Sequence, residues 1–226
     1  MKKSTRSGAT KDGELVTAPE IAQERSSRAI FQEYSEAFVV AVVLAIIIRA
    51  FLIQAFKIPS GSMIPTLLVG DHILVNKFIY GIRIPFTNIR WLAFSDPKRG
   101  DVIVFVYPED RTKDFIKRVV AVSGDTVEIK NKKLLINSAP VEEPFTQYDQ
   151  PVLPRNSIVG ERDNYGPTTV PKNRLFVMGD NRDHSQDSRF WGFVPVEDVK
   201  GEAFMIYYSV DNFPLVRWGR IFKLIR

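Results

Sequence analysis

Cysteine is absent from the 226 residues, and histidine occurs only twice, as His72 and His184. The first absence excludes disulfides, a thiolate nucleophile and any zinc site built on sulfur. The second leaves no H-E-x-x-H or similar spacing and gives a Ser-His-Asp triad little to build on, since His72 sits in an apparent strand and His184 in a polar loop. No metal site and no cofactor are expected. Charge of one sign is also scarce: 31 Lys+Arg against 26 Asp+Glu leave +5. That tilt favours anionic surfaces without choosing between lipid head groups and nucleic acid. With 45% hydrophobic residues, the chain can build one sizeable core, or a modest core plus a membrane anchor, but not two full domains.

Long apolar runs are limited to one. Residues 1–36 are polar and basic, with Lys2, Lys3, Arg6, Lys11, Arg25 and Arg28, and read as a solvated segment with a short helix near residues 18–33. Residues 37–56 then run AFVVAVVLAIII, Arg49, AFLI and on to Phe56. That length suits a transmembrane helix across a bilayer core of about 30 Å, with Arg49 snorkelling at its far end; a buried core helix is the alternative. The basic lead-in leans towards a cytoplasmic N-terminus. Residues 57–226 alternate short Val-, Ile-, Phe- and Tyr-rich runs with turn signals, so the expected fold is mainly β, antiparallel sheets behind one N-terminal helix. A shift to Pro, Asn, Gln and Gly between Glu142 and Lys172 marks a loop-rich insertion.

Three segments carry chemistry. IPSGSMIPTL, residues 58–67, places Ser62 between Gly61, which lets backbone approach a substrate, and two stiffening prolines; taken alone it is an ordinary turn. A serine needs a base. Lys117, embedded in FIKRVV, meets that need if burial disfavours its ammonium, and strand alternation sets it with Phe115 and Val119 on one face and Arg118 on the other. The plain reading is an exposed lysine on an edge strand. GDNRDHSQDSRFWGFVP, residues 179–195, concentrates Asp180, Asn181, Arg182, Asp183, Ser185, Asp187, Ser188 and Arg189 before Trp191. Such a cluster either lies solvated or has its groups satisfy one another, and a calcium-loop pattern is not met. Ser95 and Lys98 also match S-x-x-K, but Pro97 argues against the helix that spacing needs.

In this order, PSGSMIPTL after an apolar helix, RGDVIVF with FIKRVVAVSGD, and GDNRDHSQDSRFWGFVP resemble the signature boxes of bacterial type I signal peptidases over residues 57–205. The resemblance implies a single-pass protein of the bacterial inner (plasma) membrane with its catalytic domain on the extracytoplasmic, periplasmic side and a smaller second region inserted at about residues 126–171. It implies Ser62 as nucleophile and Lys117 as general base, with the Ser62 backbone N–H and the Ser60 hydroxyl as oxyanion hole. It gives Ser185 as a hydrogen-bond partner of the lysine, Asp187 and Arg189 as its supporting shell, and Phe56, Ile58, Met63, Leu67, Val104, Phe115 and Ile116 as lining for small side chains at the −1 and −3 positions of a cleavage site. The implied partners are preprotein signal peptides and membrane lipids, with no nucleic acid. Apolar residues near Phe78, Ile79, Ile84 and Phe86 are expected to face lipid. The tail VRWGRIFKLIR reads equally as lying against lipid or as a terminal strand or helix packed on the core.

Overall fold

β-Branched and aromatic residues recur at alternate positions after residue 52, and in the computed structural model these runs pair as antiparallel strands. The structure describes residues 10–11, 14–15, 18–47, 52–83, 90–91, 94–154, 157, 160–211 and 215–225. They fall into two units, residues 1–49 and 50–226. The first is dominated by helix α1 (Ala18–Ile47), whose apolar side chains Phe38, Val39, Val40, Val43, Leu44 and Ile46 are all exposed. Among the described residues no helix is long and apolar enough to cross a membrane.

The helix expected over residues 37–56 needs correcting at its far end. Residues 37–47 are helical, but strand β1 (Ile53–Lys57) pairs residue by residue with β2 (Asp71–Asn76), from Ile53 opposite Asn76 to Lys57 opposite His72. A backbone that satisfies its polar groups in a ladder does not also form a helix. Arg49, Ile84 and Phe86 lie outside the described residues; Phe78 and Ile79 are half-buried.

The larger unit continues with β3 (Val102–Val106), β4 (Asp114–Val122), β5 (Thr126–Lys130), β6 (Lys133–Ile136), β7 (Ala139–Pro140), β8 (Tyr165–Thr169), β9 (Arg174–Met178), β10 (Val194–Pro195), β11 (Val199–Asp211), β12 (Leu215–Val216) and β13 (Lys223–Leu224). The main sheet has the order β10-β9-β4-β3-β11-β2-β1, with β12 and β13 also pairing on β11; β7-β6-β5-β8 forms a second sheet. The residues of β3, VIVFV, are buried throughout, the pattern of a strand covered on both faces. Val102 and Val104 join Ile58, Met63, Leu67, Ile73, Val75, Ala203 and Ile206 on one side. Ile103 and Phe105 join Tyr80, Val119, Leu175, Val177, Val194 and Val199 on the other. Phe176 and Met178, turned the opposite way on β9, meet Val127, Ile129, Leu134 and Ile136 of the second sheet and fuse the two layers.

The C-terminal tail takes the packed alternative in its backbone. Strand β13 pairs with β11, Ile225 packs against the first cluster, and Arg220 reaches the fully buried carboxylate of Asp71 at 2.6 Å. Trp218, Phe222 and Leu224 nevertheless remain exposed.

Phe176 has no exposed surface, and its ring centroid lies 5.1 Å from that of Tyr165 and 6.0 Å from that of Phe193. Phe176→Ala is expected to cost about 3–5 kcal/mol, seen as a lower urea midpoint with an unchanged slope. A loss below about 1 kcal/mol would mean that the second sheet does not share this core.

Candidate active site

The segment between β1 and β2 is built as a plug. Ile58 N–H donates to the Asp71 carbonyl at 2.8 Å and Gly70 N–H to the Ile58 carbonyl at 3.0 Å, so the two strands clamp both ends of the loop. Met63 and Leu67, each with no exposed surface, anchor it in the core, which leaves Ser60 exposed and Ser62 half-buried above them. Opposite, β4 presents Lys117. Its Nζ lies 2.7 Å from Ser62 Oγ and 5.5 Å from the centre of the Phe115 ring.

Lys117 is 4% exposed. Burial is the main influence on its amine and lowers its pKa from 10.5 to about 8; the charges of Asp187 and Asp180 oppose that shift, and Arg189 adds to it. The amine thus keeps a sizeable neutral fraction near neutral pH, able to accept the Ser62 hydroxyl proton across the same 2.7 Å. The fold carries a cost for this. With the folded pKa below the unfolded one, the penalty is absent above about 10.5, grows as pH falls and is complete below about 8, on the order of 3 kcal/mol.

Arg118, the next residue, faces away and is 1% exposed. Its Nε donates to Asp180 Oδ1 at 2.8 Å, its Nη2 to Asp180 Oδ2 at 2.7 Å and its Nη1 to the Gly100 carbonyl at 2.7 Å, while the Phe145 ring covers the guanidinium at 3.8 Å. Asp180 also accepts the Thr66 hydroxyl at 2.5 Å. Beside it, Asn181 donates its backbone N–H to the Ser62 carbonyl and its Nδ2 to the Gly61 carbonyl, both at 3.1 Å. The Ser62 loop is thus held in place by a fully buried aspartate and a buried asparagine. Gly179 makes their approach feasible, since a Cβ there would lie 2.3 Å from Ser185 Oγ and 2.4 Å from the Ser62 carbonyl oxygen.

The other expected residues divide. Asp187 and Arg189 are buried and paired at 2.8 Å; burial pushes the Asp187 carboxyl up, but Arg189 outweighs it and holds the group ionised. They act on Lys117 through their charges. The expected hydrogen bond from Ser185 to Lys117 needs correcting: Ser185 Oγ is buried without a hydrogen-bond partner of full geometry, its dipole serving only to help keep Asp187 ionised. The reason is position, because Ser185 packs against the Gly179 backbone. No hydrogen bond engages Ser60 Oγ or the Ser62 N–H among the described residues, so both are available to a ligand.

A groove of about 340 Å³ opens here, lined by Pro59, Ser60, Ser62, Asp114, Phe115, Ile116, Lys117, His184 and Gln186. Of the expected lining residues, Phe115 and Ile116 are present. Ile58, Met63, Leu67 and Val104 are instead buried beneath the floor, with Phe56 packed against them, so they shape the floor without reaching the groove. His184, on the rim, bonds the Asp149 carboxylate through Nε2 at 2.9 Å and does not reach Ser62. The stabilising roles of Arg118, Asp180 and Asn181 escaped the sequence reading. The only available signal was that two adjacent basic residues in an apolar strand must face opposite ways, so that the one turned inwards requires a carboxylate.

The family signal peptidase, peptidase S26, matches residues 31–208. Signal peptidase I of Pseudomonas aeruginosa is 38% identical over 219 residues, covering 84% of this chain and 77% of that protein. Signal peptidase I of Aquifex aeolicus is 39% identical over 219 residues, covering 74% of this chain and 81% of that protein. Signal peptidase I of Pseudomonas fluorescens is 38% identical over 217 residues, covering 84% and 76%.

An NMR titration of the Lys117 amine should give a midpoint near 8, and any reaction using the neutral amine should speed up as pH rises towards that value. A midpoint at the ordinary lysine value would mean that water reaches the amine freely.

Proposed function

This chain belongs to the signal peptidase family, peptidase S26, and on that basis we propose that it is a membrane-attached endopeptidase that removes N-terminal signal peptides from translocated preproteins, using Ser62 as nucleophile and Lys117 as general base. The observation that carries this reading is the 2.7 Å approach of a buried, partly neutral amine to a serine hydroxyl at the floor of a groove. Lys117 takes the Ser62 proton as Oγ attacks the scissile carbonyl carbon. The resulting oxyanion is received by the Ser62 N–H and the Ser60 hydroxyl. Lys117 then returns the proton to the departing amine, the new N-terminus of the mature protein, and the signal peptide remains as an ester on Ser62. Water deprotonated by Lys117 hydrolyses that ester.

Strand pairing supports the substrate's extended form. Along Asp114, Phe115, Ile116 and Lys117, β4 pairs with β3 on one edge, whereas its pairing with β9 begins only at Arg118. Among the described residues no strand pairs with the other edge of those four, an edge suited to receive an extended peptide as an added strand. Phe115 and Ile116 give the groove its apolar wall, suited to the small side chains of a small-x-small site. The exposed apolar side chains of α1, with the apolar residues that follow, support attachment to the bacterial plasma membrane; the catalytic unit then works on the extracytoplasmic side, where signal peptides emerge.

Detergent-solubilised protein incubated with a model preprotein should release two fragments whose masses place the cut after a small-x-small site. Ser62→Ala and Lys117→Met should each lower that rate about a thousandfold or more. Lys117→Met should also raise the melting temperature at pH 7, because it removes the cost of burying the amine. Near-normal cleavage by Lys117→Met would sink the dyad.

A further inference from the structure

The loop that carries Ser62 is also held by a part of the chain that the chemistry does not use. Arg220 ends the short turn Trp218–Arg220 in the C-terminal tail. Its Nη2 donates to the Thr66 carbonyl at 2.8 Å and to Asp71 Oδ2 at 2.6 Å, and its Nε donates to Asp71 Oδ1 at 3.1 Å. The same carboxylate accepts the Leu68 N–H at 2.8 Å and the Ser209 hydroxyl at 2.6 Å. Among the described residues Arg220 supplies the only hydrogen bond from the tail to residues 58–67. Beyond residue 67, Arg217 Nη2 donates to the Val69 carbonyl near the end of the same loop. Ile225 packs against the cluster that holds Met63 and Leu67, and a cavity of about 350 Å³ lined by Pro65, Thr66, Ile206, Lys223, Leu224 and Ile225 lies between tail and loop.

Thr66 is the residue whose hydroxyl reaches Asp180, and Asp180 grips Arg118, the neighbour of Lys117 on β4. One residue of the loop is therefore held at its side chain by the lysine's strand and at its carbonyl by the tail. Without Arg220 the Thr66 carbonyl loses that donor, and the loop borders a solvent-open cavity towards which it can shift. The tail keeps other anchors, since Arg217 Nε donates to Ser209 Oγ at 2.9 Å and its Nη2 to the Val210 carbonyl at 2.8 Å.

We propose that Arg220 is a positioning residue and that the C-terminal tail is a strap that sets the separation of Ser62 from Lys117. The proposal rests on Ser62 being the nucleophile. A displacement of about an ångström in such a pair is enough to slow catalysis a hundredfold without altering the groove walls that bind substrate.

The test compares Arg220→Ala, Arg220→Lys, Arg217→Ala and Ser62→Ala in the full-length protein on one preprotein, recording kcat, KM and melting temperature. Arg220→Ala should lower kcat by about tenfold or more with KM within about twofold, Arg220→Lys should fall between it and the parent, and Arg217→Ala, whose loop contact is to Val69 beyond the Ser62 turn, should lose clearly less kcat than Arg220→Ala. Added guanidinium ion should restore part of the lost kcat in Arg220→Ala alone. Unchanged kcat in Arg220→Ala would overturn the proposal, as would kcat losses in Arg220→Ala and Arg217→Ala that simply follow their melting temperatures. Residual cleavage by Ser62→Ala would instead overturn the dyad reading beneath it, so the two failures are distinguishable.

Discussion

The buried pairing of Arg118 with Asp180 is the constraint on which the rest of the site depends. It is bidentate, neither side chain is more than 2% exposed, and it draws β4, the loop after β9, the Gly100 carbonyl and Thr66 to one point. Because adjacent strand residues face opposite ways, fixing Arg118 on one face also fixes where Lys117 points on the other. A buried ion pair adds little net stability, but removing one partner typically costs about 3–5 kcal/mol because the remaining charge is stranded. Here the pair's value is registration: the Ser62 loop and the Lys117 strand share a single bracket.

The segment that supplies Asp180 is held in turn by the second sheet and its loops. Lys132 reaches Asp183 at 2.6 Å, Arg182 binds Glu143 in a two-pronged pair, and Arg189 donates to the carbonyls of Arg162 and Arg182, each at 2.7 Å. This many charges inside a protein are tolerable only when nearly all are matched, and the turns and loops of the second sheet match Arg182 and Asp183. Among the described residues Trp191 Nε1, Asn181 Oδ1 and Ser185 Oγ are buried polar atoms without a hydrogen bond of full length and angle, and all three lie in the segment 179–195.

Much of this was readable from residue order. Alternating apolar runs gave the antiparallel β class, and three boxes in sequence gave the family. Lys117 drew attention because it stands in an apolar strand, and the structure brings it to Ser62 across 55 positions of sequence. What was not readable has physical causes. An apolar stretch does not announce where helix gives way to strand, so Ile53 and its neighbours read as a continuing helix until their ladder with β2 was seen. Ile58, Met63, Leu67 and Val104 are apolar for the sake of the core, and a motif says nothing of which side of a loop faces out. Arg118, Asp180 and Asn181 act through contacts formed only when distant segments meet, more than 60 positions apart for the arginine and its carboxylate.

The amine's lowered pKa, and with it the availability of the neutral form, comes chiefly from exclusion of water, which Asp187 and Asp180 oppose only in part. The groove above it is open, so a resting molecule leaves some of that exclusion undone. On the proposed reading, a peptide laid along the edge of β4 at residues 114–117 covers the little of the amine that solvent still reaches and favours its neutral form. Under that proposal occupancy and reactivity rise together, so that the site is mild when empty and sharpened by its own cargo.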